Sequence, residues 1–434
     1  MAGDLTPIFT SLRLKDWRQF AEVDLRFHPQ LTVLTGANAA GKTTLLGLLA
    51  RHFGWETQLV GTPARRKRGG PLSFFTGIWQ RRQVGSEGET VQIGEVTYSD
   101  GSVAHLTVPD FLGPNAAFQV GFDRLQGIRG LFIPSHRPTF AYSPVTEIPT
   151  TLFDRQQILE QYLTEVRARS TGSHTAHTPT YRLKEALISM ATFGYGNRAV
   201  DENPETVALF EGFVEILRKV LPPSLGFERL SIRMPEVVLE TQSGDFPLDA
   251  VSGGVAAIID LAFQIYMRDD EHQSFVVIVD EPENHLHPEL QRTLLPGFLA
   301  AFPAVQFIAA THSPFVVGSV AESNVYVLRY ESTADWTYVQ PGDPASFERR
   351  VSSLLLDTVN KAGTSNQILR DVLGLEATIP LWAERELDAA VSSLIGKPLT
   401  ADGIRSLRTH LSRVGLADTL PETLERIVHD DPSN

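Results

Sequence analysis

The chain has 434 residues, 42% of them hydrophobic and 21% charged, a balance that suits folded domains and a length that calls for two to three of them. Its formal net charge of -13 excludes a surface that coats nucleic acid uniformly, because counterion release needs clustered Lys and Arg, so any DNA contact must be local. The absence of cysteine excludes disulfides, thiol catalysis and cysteine-bound zinc.

No run approaches the roughly 18 apolar residues that span a bilayer, and the opening Met-Ala-Gly-Asp-Leu-Thr lacks a basic-then-apolar leader. A cytoplasmic protein without a membrane is therefore expected. Residues 8–14 and 21–27 read as two strands that cover one side of a ligand. They lead through Pro29 into the β-branched run 31–35, followed by Gly36, Ala37, Asn38, Ala39, Ala40, Gly41, Lys42, Thr43 and Thr44. Leu45, Leu46, Leu48 and Leu49 then open a helix.

This is the G-x-x-x-x-G-K-[ST] pattern between a strand and a helix, the context in which it binds phosphate. Glycines let backbone N–H groups turn inward, the helix start adds a positive dipole, Lys42 reaches the β and γ phosphates, and the Thr43 hydroxyl suits Mg²⁺. The basic run 65–68, between Pro63 and Gly69-Gly70, reads as a solvated loop rather than a nucleic-acid contact.

Residues 95–99 and 102–108 bracket Asp100-Gly101, a hairpin signal. A short strand at 131–133 runs into Ser135, His136 and Arg137. From about residue 150 the pattern turns helical: Leu159, Tyr162, Leu163 and Val166 share a face, as do Phe210, Phe213, Val214 and Leu217, with Asn203 and Pro204 at a helix start. Residues 170–180 predict a mobile loop, whose His174 and His177 lack further metal ligands. Strands are expected at 230–233 and 237–241, with a turn at 243–245.

The apolar runs 275–279 and 306–310 predict parallel strands buried on both faces, ending in Asp280-Glu281-Pro282-Glu283 and Thr311-His312. Asp280 is placed to hold Mg²⁺, Glu281 to polarise a water, and His312 to bond a γ-phosphate or that water. Both carboxylates face one site only if the chain bends, for which Pro282 is the candidate. Beyond about residue 343 the chain reads as helical, with Pro380 opening one helix (Leu387, Val391, Leu394) and Gly415 closing another (Ile404, Leu407, Leu411, Val414).

Together these pieces resemble the ATP-binding cassette ATPases, in the branch that holds RecF, the SMC-like proteins and the OLD-type ATPases, over nearly all of residues 1–330. The resemblance implies an α/β head, an ABC-type P-loop ATPase with a mixed β-sheet, a helical insertion and a C-terminal all-α region. The corresponding division is 1–149, 150–227, 228–335 and 343–434. It implies ATP and Mg²⁺ as cofactors, and a homodimer sandwiching ATP, in which Ser252, Gly253 and Gly254 of one chain meet the phosphate held by Lys42 of the other. By the same resemblance Glu281 is the catalytic base, His312 the switch histidine, and residues 284–287 cross the dimer interface.

Three features depart from that family. Val255 replaces the usual Gln or Glu after the signature, residues 135–137 stand where a glutamine loop is expected, and no long coiled coil separates the two halves of the head. The opening strands, the phrase Asp-Glu-Pro-Glu-Asn-His-Leu-His-Pro and the short tail resemble stand-alone ATPases of bacterial antiphage systems such as Septu. These often work with a separate nuclease, commonly HNH-type. No Glu followed by Asp-x-Asp after Thr311 suggests a Toprim nuclease in the chain itself. The expected function is an ATPase that regulates a nuclease or DNA-processing effector. A DNA-repair clamp and a transporter energy subunit are the alternatives.

Overall fold

The computed structural model describes residues 6–65, 72–78, 90–109, 111–112, 116–137, 140–170, 172–173, 175–269, 273–332, 349–357, 361–373 and 400–413, with single residues 382, 385, 389 and 424. The chain forms two compact units, residues 1–368 and 369–434. Among the described residues no helix is long and apolar enough to cross a membrane.

The first unit is built on an eleven-stranded sheet among the described residues. From one edge its order is Gly121–Phe122, Val103–Pro109, Thr90–Tyr98, Phe9–Trp17, Phe20–Arg26, Arg349–Leu355, Asn324–Ser332, Leu31–Gly36, Val305–Ala310, Phe275–Asp280 and Gly130–Ile133. The last five run parallel. Every residue of Leu31–Gly36, Phe275–Asp280 and Val305–Ala310 is buried, as expected of strands covered on both faces. Register then sets the site: Asp280 lies opposite Ala310, and Ala310 opposite Leu34, so three strands end at one level and release three loops side by side.

The antiparallel wing buries Phe9, Leu12, Leu14, Trp17 and Phe20 against Leu45, Leu46 and Leu49 of the helix Lys42–Ala50. Helices Arg155–Ser170, Pro179–Gly194, Pro204–Val220 and Gly253–Arg268 pack on one another. Asn203 caps Pro204–Val220 by accepting from the Thr206 N–H, with proline first in the helix. A three-stranded sheet, Phe227–Arg233, Glu236–Thr241 and Gly244–Pro247, precedes the helix that starts after Ser252.

Three readings of the sequence are corrected here. Residues 349–355, in the stretch expected to be helical, form a strand between Asn324–Ser332 and Phe20–Arg26. Val351, Leu354 and Leu355 keep a helical i, i+3, i+4 spacing, but Leu354 and Leu355 are half exposed and the open strand position in the sheet decides the conformation. Patterning also missed Asn324–Ser332 and Pro179–Gly194. Finally, the turn near 243–245 falls one residue earlier, with Gly244 already starting a strand.

Part of the 170–180 stretch is pinned: Arg169 donates to the Thr175 hydroxyl at 3.0 Å and the His177 carbonyl at 2.8 Å, and His177 stacks on Tyr181. In the second unit the helix Ala401–Arg413 buries Leu407 and Leu411. Residues 66–68 of the basic run, His174, Pro380, Leu387, Val391, Leu394, Val414 and Gly415 lie outside the described residues.

Candidate functional site

The loop between Leu31–Gly36 and Lys42–Ala50 owes its shape to two glycines at positive φ, Gly36 at 136° and Gly41 at 100°. A Cβ on Gly36 would collide with the Leu328 carbonyl, and one on Gly41 with the Phe20 ring and the Gln19 amide. Between them Ala39 is left-handed and Ala40 is buried, while Asn38 is exposed. Lys42 Nζ donates to the Gly36 and Ala37 carbonyls at 2.9 and 3.2 Å, which folds the ammonium back over the loop. Burial pushes Lys42 down to about 8, against the pull of Asp280, Glu281 and Glu283.

The adjacent strand ends complete the cluster. The Thr43 hydroxyl donates to Asp280 Oδ2 at 2.9 Å. Asp280 is buried, which raises its carboxyl above the usual range despite that bond. Glu281 itself adopts φ 47°, so the bend that turns both carboxylates to one side occurs at Glu281 rather than at Pro282. Its Oε1 lies 3.9 Å from His312 Nε2, and its Oε2 accepts from Asn284 Nδ2 at 2.9 Å. Burial, with Lys42 second, holds His312 below its ordinary value, so the ring is neutral at pH 7. Glu283 Oε1 accepts from the Thr311 hydroxyl at 2.6 Å and the His312 N–H at 2.9 Å, locking the histidine loop to the carboxylate turn.

A family model described as "AAA domain, putative AbiEii toxin, Type IV TA system" matches residues 162–318, and a second AAA domain model matches residues 11–99. The Septu protein PtuA of Bacillus thuringiensis is 24% identical over 179 residues, which cover 38% of this chain and 42% of that one. The Retron Vc95 probable ATPase of Vibrio cholerae serotype O1 biovar El Tor is 38% identical over 53 residues, 12% of this chain and 10% of that one. The chain is thus similar to ATPases of antiphage systems. The matches span less than half the length of these relatives. Among solved structures, an SMC head bound to the C-winged helix domain of ScpA aligns with TM-score 0.40 and 16% identity, over 81% of this chain and 98% of that chain.

Lys42, Thr43, Asp280, Glu281 and His312 come together at one end of the parallel strands. Thr44 follows in the first helical turn. The signature stands apart: Ser252 caps the helix Gly253–Arg268 by accepting from the Val255 N–H at 3.4 Å and is exposed. A Cβ on Gly254 would lie 3.2 Å from the His285 carbonyl, so these glycines abut the loop after the carboxylates. Among the described residues no hydrogen bond joins Ser252, Gly253 or Gly254 to Lys42, Asp280 or Glu281.

The oxygens of Thr43 and Asp280 are hard donors of the kind Mg²⁺ takes. Among the described residues no group of three or more His, Cys, Asp or Glu could hold a metal. Sequence reasoning missed the supporting roles of Glu283, Asn284 and Arg137. For Glu283 the signal was a second carboxylate two residues beyond Glu281; for Arg137, a charged residue closely following a buried strand.

Proposed function

We propose that this chain is an Mg²⁺-dependent ATPase that pairs with a second copy around ATP and thereby regulates a nuclease or DNA-processing effector in antiphage defence. The convergence of Lys42, Thr43, Asp280, Glu281 and His312 on adjoining strand ends carries the reading. In it the loop N–H groups and Lys42 hold the β and γ phosphates. Thr43 and Asp280 would hold Mg²⁺, which would supply positive charge against the phosphates.

Glu281 accepts a proton from the attacking water, and neutral His312 orients that water or bonds the γ-phosphate. The exposed Ser252 and the following N–H groups suit a phosphate presented by another subunit, because a helix start with a free face is an anion site. Residues 369–434 are the proposed docking platform for the effector, an HNH-type nuclease by resemblance to Septu.

Glu281→Gln tests the proposal. It keeps the side chain's shape but removes the proton acceptor, so turnover should fall by about 10²–10⁴-fold while ATP-bound dimers accumulate. Undiminished turnover would refute the assigned base. Ser252→Arg should abolish dimers while leaving ATP binding by monomers intact, and full-speed hydrolysis by that variant would exclude the composite site.

A further inference from the structure

Arg137 follows the parallel edge strand Gly130–Ile133 and is only 9% exposed. Its Nη2 donates to three carbonyls of one turn: Glu281 at 2.9 Å, Pro282 at 3.2 Å and Asn284 at 3.5 Å. That turn carries left-handed, non-glycine backbone at Glu281 (φ 47°) and His285 (φ 70°), conformations that cost energy and persist only when neighbours over-determine them. Converging carbonyl dipoles repel one another unless a cation lies among them. Arg137 is the cation there.

Arg137 also interacts across the core. Burial pushes the Arg137 guanidinium below its ordinary value, and the charge of Asp260, on the helix that begins after Ser252, is the largest influence opposing it. Asp260 in turn accepts from the Tyr162 hydroxyl and, at 3.1 Å, from the Gln264 amide. Arg137 Nε and Nη1 and Gln264 Oε1 are buried without hydrogen-bond partners, so Nη2 alone carries the bonds to the turn.

We propose that Arg137 is a positioning residue for ATP hydrolysis: it holds the turn from behind so that the Glu281 carboxylate faces the water. The inference rests on the ATPase reading above. Among the described residues no hydrogen bond joins Arg137 to the loop 36–43 or to Ser252, so its removal should spare nucleotide capture and affect the chemical step.

The test uses the full chain. In Arg137→Lys, the ammonium ends one bond short of the Nη2 position and cannot sit among the three carbonyls; Arg137→Ala leaves a guanidinium-sized space. Both should lower kcat by about 10²-fold, the scale of a misplaced catalytic group, with the Kd for a fluorescent ATP analogue changed less than about threefold. Added guanidinium ion should restore part of the Arg137→Ala turnover and none of Glu281→Gln. Should Arg137→Ala fail to fold, Arg137→Lys alone decides through its kcat-against-Kd split. Unchanged kcat, or equal losses of kcat and ATP affinity, would overturn the positioning role while leaving the ATPase reading in place. A wild-type chain without ATPase activity would overturn both.

Discussion

The Thr43 hydroxyl reaches Asp280 Oδ2 at 2.9 Å across 237 positions of sequence, joining the start of the P-loop helix to the end of a buried strand two places away in the sheet. The bond orients both oxygens before any ligand arrives, and so sets where a hard cation can sit. Asp280→Asn removes the charge and keeps the shape. The Mg²⁺ concentration for half-maximal ATPase should rise by about 10–100-fold, and EDTA should abolish turnover in the wild type. An unaltered Mg²⁺ titration in Asp280→Asn would sink the assignment.

Lys42 predicts a pH dependence. Burial lowers it to about 8, and the phosphates of ATP select the charged ammonium. ATP affinity should be flat below about pH 8 and then fall, by at most about tenfold per pH unit. For folding the sign is the reverse: the unfolded chain binds this proton more tightly. Lys42 therefore lowers stability below pH 8, and that penalty fades as pH rises toward the free-lysine value. Equilibrium titration of a fluorescent ATP analogue from about pH 7 to pH 9.5 checks the binding arm.

His312 is held neutral beside Glu281, so its work at pH 7 is hydrogen bonding rather than charge. His312→Ala should cut kcat by about 10²-fold and leave ATP affinity nearly unchanged. In the wild type, turnover should decline as the pH drops through the lowered imidazole pKa, and this acid limb should be missing in His312→Gln. A variant that loses affinity and rate together would place His312 in binding instead.

The parallel centre of the sheet was legible because its strands are continuous apolar runs with polar ends, a pattern no exposed element shares. The P-loop was legible because two glycines at fixed spacing answer a backbone requirement. Residues 349–355 were not, since three apolar residues at helical spacing met a strand vacancy that only tertiary structure creates. For Arg137 the sequence offers only a charge placed just after a buried strand; what it does depends on carbonyls more than 140 positions away. The left-handed Glu281 was likewise invisible: the adjacent proline suggested a bend and misplaced it by one residue.

Lys184 gives the sharpest stability prediction. Its side chain is fully buried, with Nζ 2.5 Å from Glu236 Oε2, 2.6 Å from Asp249 Oδ2 and 2.9 Å from the Ser143 carbonyl. Asp249 lies three residues before Ser252, so the ion cluster ties the helix Pro179–Gly194 to the approach of the signature. Lys184→Met keeps the length of the chain and strands two carboxylates, which should cost about 3–5 kcal/mol. Adding Asp249→Asn to Lys184→Met should recover part of that loss, because one buried charge is then removed. Urea unfolding of the two variants measures the difference, and a Lys184→Met chain as stable as the wild type would show that the cluster contributes nothing to the fold.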